Sequence, residues 1–149
     1  MTGGQAARPA STNGPQGPPP PWHRARLQPE RCAACAGPCA EVCEAGIVRF
    51  HPAGHPLAGT PYLAFEDTGC TFCGQCRDAC PMALTEPAEL LVGLAQLDTG
   101  RCLAYNGVLC MSCRSACSAE ALRFDARFRP EVDTERCTGC GFCVGVCPE

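Results

Sequence analysis

Two short stretches hold most of the residues that could do chemistry. One, CTFCGQCRDACP, runs from Cys70 to Pro81, and the other, CTGCGFCVGVCP, from Cys137 to Pro148. Both are spaced C-x2-C-x2-C-x3-C-P. Thiolates at those offsets suit a cubane iron–sulfur core, with three sulfurs from one tight loop and the fourth serving a neighbouring cluster. The loop must turn its backbone N–H groups toward the sulfurs, which short residues allow, and Gly74, Gly139 and Gly141 supply them. The x3 step then carries the last cysteine around a helical turn, away from its own loop, and proline suits a chain leaving that turn. Zinc or disulfides are the alternatives, although zinc sites pair CxxC motifs across a longer spacer.

Two looser groups accompany these. CAACAGPCAEVCE carries Cys32, Cys35, Cys39 and Cys43 at C-x2-C-x3-C-x3-C, with Gly37 and Pro38 bulging the loop and Glu44 in the place of the proline. The extra residue between Cys35 and Cys39 leaves a three-iron form or an unfilled first site as alternatives. CLAYNGVLCMSCRSAC carries Cys102, Cys110, Cys113 and Cys117 at C-x7-C-x2-C-x3-C. Its first cysteine lies on a longer loop through Tyr105, Asn106 and Gly107, and Asn-Gly marks a turn.

Short strands must position these loops. Ile47, Val48 and Phe50 read as one, Pro61 to Glu66 as a second, with the turn-rich HPAGHPLAGT (His51 to Thr60) between them. Ala121 to Phe124 and Glu131 to Asp133 read as two more. Between the halves, Leu90, Leu91, Leu94 and Leu97 fit a helical face, whereas Leu90, Val92 and Leu94 alternate as a strand does; a strand-containing connector is expected. Residues 1 to about 21 are rich in Pro, Gly, Ser and Gln and should form a flexible arm. Trp22 either packs the arm's end onto the first cysteine unit or stands as a lone exposed aromatic.

The chain repeats itself. Counting from Cys43 and from Cys117, Arg and Phe fall at the sixth and seventh positions in both copies: Arg49, Phe50 and Arg123, Phe124. Counting back from Cys70 and Cys137, Phe65 and Glu66 match Val132 and Asp133, and the extra residues of the first copy are placed in the HPAGHPLAGT loop. Because the fourth cysteine of each run serves the other cluster in two-cluster proteins of this spacing, four sets are expected. The first is Cys32, Cys35, Cys39 with Cys80, and the second Cys70, Cys73, Cys76 with Cys43. The third is Cys102, Cys110, Cys113 with Cys147, and the fourth Cys137, Cys140, Cys143 with Cys117. All sixteen cysteines are used.

Composition points the same way. Sixteen cysteines in 149 residues exceed the roughly 8 to 10% that marks a cysteine-built scaffold. Aromatics are only 6%, so no large apolar core is available and metals must do part of the holding. No apolar leader or twin-arginine pair is seen and no stretch approaches the roughly 18 apolar residues of a membrane span. A reducing cytoplasm is expected, where cysteine clusters read as metal or redox sites. The formal charge is −3, and four clusters at −2 each would take it to roughly −11, which argues against a nucleic-acid partner. Residues 1 to 31 hold four arginines (Arg8, Arg24, Arg26, Arg31) against Glu30, so the negative charge lies in the rest.

His23, His51 and His55 read as solvated loop residues rather than ligands. Arg49 and Arg123 fit a strand-edge ion pair or partner docking, and Glu66, Asp67, Asp78 and Asp133 a solvated or partner-facing surface. Phe50 and Phe124 read as small-core packing over the clusters. No nucleophile–base pair, GxGxxG or P-loop appears, so no catalytic activity is expected.

The chain resembles the NapF-type ferredoxins over roughly Pro18 to Glu149. The likeness rests on Pro20, Pro21 and Trp22, on the order of one loose, one consensus, one CLAY-containing and one consensus cysteine group, and on ALRFDARFRP after the third group. It implies an α+β fold of tandem bacterial-type two-cluster ferredoxin domains. The expected boundaries are a disordered arm at 1–27, a first domain at 28–85, a connector at 86–100 and a second domain at 101–149. Relatives continue beyond Pro148 into a closing strand, so the second domain is expected to be incomplete there. The resemblance further implies four [4Fe-4S] clusters and a cytoplasmic, electron-carrying accessory role. The expected partner is the precursor of the periplasmic nitrate reductase catalytic subunit, met during maturation before export. The alternatives are an electron-transfer subunit of a larger oxidoreductase and a zinc-built interaction module.

Overall fold

The computed structural model describes residues 17–23, 28–85 and 90–149. Most of the expected arm, with Arg8, Arg24 and Arg26, lies outside the described residues, as do positions 86–89 of the connector. The elements are short: α1 (Pro29–Ala33), α2 (Pro38–Glu41), β1 (Val48–Phe50), β2 (Pro61–Leu63), α3 (Gln75–Asp78), α4 (Ser112–Ala116), β3 (Leu122–Phe124), β4 (Pro130–Val132) and α5 (Phe142–Gly145). Helices of four or five residues do not persist by propensity alone. Tertiary contacts and the sites they frame must hold them.

Each copy is built on one antiparallel hairpin. β1 pairs with β2 in the register Val48 to Leu63, Arg49 to Tyr62 and Phe50 to Pro61. β3 pairs with β4 as Leu122 to Val132, Arg123 to Glu131 and Phe124 to Pro130. The same closing bond follows each: Ala64 N–H donates to the Ile47 carbonyl at 2.8 Å, and Asp133 N–H to the Ala121 carbonyl at 2.7 Å. This register corrects the repeat alignment. Leu63, not Phe65, is the counterpart of Val132, so the first copy's extra length is split. Five residues sit in the hairpin loop (51–60 against 125–129) and two lie between β2 and the cysteine loop.

Helix α2 packs on α3, and α4 on α5. The core is almost confined to the first copy, where Cys39, Ile47, Val48, Leu63 and Val92 form one buried cluster flanked by Phe65 and Phe72. A second cluster joins Trp22, Cys80 and Leu84. Pro20, Pro21, Trp22 and His23 are all buried, so this part of the expected arm is packed, and of the two readings of Trp22 the packed one is found. Leu63 N–H donates to the Pro18 carbonyl at 2.8 Å, laying the segment along β2.

The expected connector strand is not formed among residues 90–100. The alternation is real, but its buried member is Val92 at 2% exposure, with Leu90 at 41% and Leu94 at 49%. Among the described residues, its ties to the second copy are the bond from Val92 N–H to the Thr138 carbonyl at 2.9 Å and the contact of Ala95 N–H with Cys137 Sγ at 3.5 Å. Val92 thus places its side chain in the first copy's core and its N–H on the second copy's cysteine loop. A direct bond from Cys70 N–H to the Cys140 carbonyl, 2.7 Å, completes the seam. A Cβ on Gly69 would lie 2.5 Å from that carbonyl oxygen, so only glycine fits there. Among the described residues, no helix is long and apolar enough to cross a membrane.

Candidate metal centres

One local design recurs four times. Each of α2, α3, α4 and α5 contains the third cysteine of its group (Cys39, Cys76, Cys113, Cys143), and the fourth (Cys43, Cys80, Cys117, Cys147) comes as or just after the helix ends. The helix therefore throws the fourth sulfur away from the loop that holds the other three, as the x3 spacing required. Before α3 and α5 the chain needs a left-handed residue, and Gly74 (φ +80°) and Gly141 (φ +86°) supply it without a Cβ penalty.

The sulfurs meet across groups. Cys32, Cys35, Cys39 and Cys80 line one cavity of about 220 Å3, together with His23 and Phe50. Cys43, Cys70, Cys73 and Cys76 line another of about 290 Å3, roofed by Pro20, Pro21 and Trp22. Cys102, Cys110, Cys113 and Cys147 line a third of about 240 Å3, which Cys143 also borders. Cys117, Cys137, Cys140 and Cys143 line the fourth, about 220 Å3. Each cavity has one expected set of four cysteines in its wall. The extra residue of the first group is absorbed where Gly37 (φ +78°) and Pro38 start α2.

The long loop of the third group is closed by polar contacts. Asn106 Nδ2 donates to the carbonyls of Gly100 (3.0 Å) and Cys102 (2.9 Å). Tyr105 Oη donates to the Pro130 carbonyl at 3.2 Å, tying the loop to β4.

Main-chain donors reach several sulfurs. Gly37 N–H points to Cys35 Sγ, Phe72 N–H to Cys70 Sγ and Ala95 N–H to Cys137 Sγ, each at 3.5 Å, and Ala121 N–H to Cys117 Sγ at 3.3 Å. Such donors favour sulfur carrying negative charge. Against that, burial raises several thiols: Cys39 and Cys143 to about 11 and Cys76 to about 12, with neighbouring cysteines adding to it. The neighbours are telling. Cys39 is lifted by Cys80, Cys35 and Cys32; Cys76 by Cys70, Cys73, Cys39 and Cys43; Cys143 by Cys140, Cys117, Cys113 and Cys137. Cys32, Cys70 and Cys113 are also raised, chiefly by burial. In the packing, the first set adjoins the second where Cys76 packs against the buried cluster that holds Cys39, the second adjoins the fourth where Cys70 N–H meets the Cys140 carbonyl, and the fourth adjoins the third at Cys143, which lines both of their cavities.

Four thiols per cavity form the donor set of a cubane. A zinc tetrahedron draws its sulfurs to about 2.3 Å from one point, and among the described residues no three His, Cys, Asp or Glu side chains close in that way. The sulfurs stand instead around cavity walls, an arrangement that fits a cluster better than an ion.

Other expectations fare variously. His23 and His51 are buried, at 1% and 7% exposure, so neither is solvated. His51 stacks on His55 with ring centres 4.1 Å apart and leans on Tyr62. Arg123 forms the strand-edge ion pair, 2.6 Å from Asp133 Oδ2, whereas Arg49 turns to the carbonyls of Gly46 and Val48. Asp78 is held by Arg77 and Asp133 by Arg123, so these two acids are not merely solvated. Phe50 is 38% exposed yet faces Gly37, where a Cβ would meet its ring at 2.7 Å. What the sequence did not reveal is the placement of His23 against the first cavity. Its only signal was that it follows Trp22 directly.

The 4Fe-4S dicluster domain family matches residues 31–84 and 108–149, leaving Cys102 and its loop outside the match. Ferredoxin-type protein NapF of Escherichia coli K12 is 31% identical over 78% of this chain and 71% of its own length. Ferredoxin-type protein NapG of the same strain is 34% identical over 78% of this chain and 59% of its own. The methylamine utilization ferredoxin-type protein MauM of Methylophilus methylotrophus is 32% identical over 80% and 62%. No solved structure matches.

Proposed function

Since this chain belongs to the 4Fe-4S dicluster ferredoxins and, within them, to the NapF-type ferredoxins, we propose that it is a cytoplasmic electron-carrying accessory protein. Its partner in this reading is the precursor of the periplasmic nitrate reductase catalytic subunit, bound during maturation before export. The sixteen cysteines, in the four sets described, would hold four [4Fe-4S] clusters, each of which takes up or releases one electron when bound.

One observation carries this reading: the four donor sets adjoin in the order first, second, fourth, third, through the packing of Cys76 on the buried cluster that holds Cys39, the Cys70 N–H bond to the Cys140 carbonyl, and Cys143, which lines both the third and fourth cavities. A protein that only stored iron would have no use for an unbroken row. The chain's own residues set the conditions along it. N–H donors at Cys35, Cys70, Cys137 and Cys117 favour charge on those sulfurs. Trp22, Pro20 and Pro21 form part of the wall of the second cavity. In the second set Cys73 is exposed, which gives a partner access to the row there.

A second reading, an electron-transfer subunit of a larger oxidoreductase, is favoured by the similarity to MauM, whose name ties it to methylamine utilization. Affinity capture from anaerobic cells separates the two. Recovery of the unexported catalytic precursor in a transient complex supports the accessory role. Stoichiometric recovery with an enzyme in turnover supports the subunit role, and full nitrate reductase activity in a strain lacking this protein would count against the accessory role.

A further inference from the structure

The segment Pro20–His23 sits between the first two sites. Trp22 packs on Cys80 and Cys76 and borders the second cavity, while His23 borders the first, beside Cys32, Cys35, Cys39 and Cys80. His23 is 1% exposed, and its Nδ1 is buried with no hydrogen-bond partner among the described residues. A buried polar nitrogen left unpaired is costly, and native structures rarely tolerate it unless something outside the chain accepts its bond. Of the four cavities described, His23 lines the first. An imidazole carries at least one N–H in either protonation state, so it has a proton to offer there. The second copy has nothing equivalent: the chain has three histidines, and no histidine lines the third or fourth cavity.

We infer that His23 is a positioning residue for the first cluster, donating a ring N–H to a sulfur in that cavity and so setting the cluster's reduction potential apart from the other three. This rests on the reading that Cys32, Cys35, Cys39 and Cys80 hold a cluster. A donor at the sulfur stabilises the more negative, reduced state, and hydrogen bonds to sulfur are among the main determinants of such potentials.

The test uses the anaerobically purified full chain. Iron and sulfide are counted first in the wild type and in Cys32→Ser; a protein short of one cluster that Cys32→Ser leaves unchanged overturns the underlying reading, and this inference with it. With four clusters present, protein labelled with 15N-histidine is reduced and examined by pulsed EPR. The expected result is a histidine nitrogen coupling, with an exchangeable proton, on one cluster. His23→Phe should abolish it and move one midpoint of four to a more negative value, while His23→Gln, which keeps a donor, should restore most of that shift and His51→Phe should change nothing. Absence of the coupling in the wild type, its persistence in His23→Phe, or unchanged midpoints in that variant would overturn the inference. So would a shift in His23→Gln equal to that in His23→Phe.

Discussion

The two copies share a cysteine plan and differ in what covers it. In the first, Cys32, Cys39 and Cys80 are buried, as are Ile47, Val48, Tyr62 and Leu63, with Trp22 and His23 added from outside the repeat. In the second, no cysteine is buried, Leu122 and Val132, the counterparts of Val48 and Leu63, are half-buried, and the buried residues are small: Ala104, Ala121, Pro130 and Gly141. The second copy relies on polar contacts. Asn106 and Tyr105 close the long cysteine loop, Asp125 holds the β3–β4 turn through the N–H groups of Arg127 and Arg129, and Asp133 holds the turn before Cys137. The repeat thus dictates where donors go, while covering is added separately to each copy.

The strongest way to break this comparison is to remove the iron. Structural metal contributes on the order of 10 kcal/mol to small metal-built domains, more than either copy's apolar burial can replace. On anaerobic chelation, hydrogen exchange in residues 101–149 should become complete within the earliest time point. The amides of His51, Leu63 and Ala64, which are hydrogen-bonded in and along the first hairpin, should keep partial protection. Equal loss in both copies would show that the first copy's core adds nothing on its own.

A smaller effect should follow from a single Cβ at matching positions. Phe72 and Gly139 occupy the same place in the two consensus runs, and both are left-handed, at φ +57° and +70°. Phe72 accepts the strain and packs against the first core. At Gly139 a Cβ would lie 2.2 Å from the Gly93 carbonyl oxygen and 2.4 Å from its nitrogen, main-chain atoms that cannot swing aside. Gly139→Ala should cost about 3 kcal/mol, the upper range for overpacking, and loosen the Val92 anchor. Phe72→Gly should cost less, since relief of strain offsets part of the lost packing. Anaerobic denaturant titration of both variants reads the difference.

That pair also shows what the sequence could and could not reveal. The gathering of the cysteines around four cavities was legible because their offsets repeat, and the hairpins because Val48, Leu63, Leu122 and Val132 sit in short runs bounded by turns. The burial of Pro20–His23 was not, because a proline-rich run has the composition of a flexible arm and Trp22 meets Cys76 and Cys80 only through distant chain contacts. The connector misled for a related reason: its alternation was genuine, but the buried member, Val92, is set by the seam with Thr138. Counting back from Cys137 misaligned the copies by two residues because turns before a cysteine loop tolerate length changes that a strand register does not.

Protonation should separate the copies more gently. In the iron-free fold, burial raises Cys32, Cys39, Cys70 and Cys76 in the first copy but only Cys113 and Cys143 in the second. A raised thiol stays protonated, so iron-free stability is intact below about pH 9 and falls as pH climbs toward 11 to 12. Loading needs thiolates and so releases these protons, which makes it more favourable as pH rises from 7 to 9. The rise should be steeper for the first copy. Reconstitution of Cys→Ser variants confined to one copy, followed by absorbance at several pH values, measures both slopes; equal slopes would contradict the burial difference.

The smallest effect tests whether polar contacts replace burial in the second copy. Arg123 is 70% exposed where it meets Asp133, and an exposed ion pair is worth under about 1 kcal/mol, so Arg123→Ala should barely move the denaturation midpoint. Asp133 does more. Its side chain is only 13% exposed, its Oδ1 accepts the Glu135 N–H at 3.1 Å, and its carbonyl accepts the Cys137 N–H at 3.0 Å, so it shapes the turn that delivers Cys137 to the fourth cavity. Asp133→Ala should cost about 1 to 2 kcal/mol, the range of a lost cap, and Asp133→Asn, which keeps an acceptor oxygen, much less. In the first copy Glu66 is exposed ahead of Cys70, and Glu66→Ala should be neutral. If Arg123→Ala proved as costly as Asp133→Ala, the ion pair rather than the turn would be holding β4 to the cysteine loop, and the second copy would depend on charge where the first depends on burial.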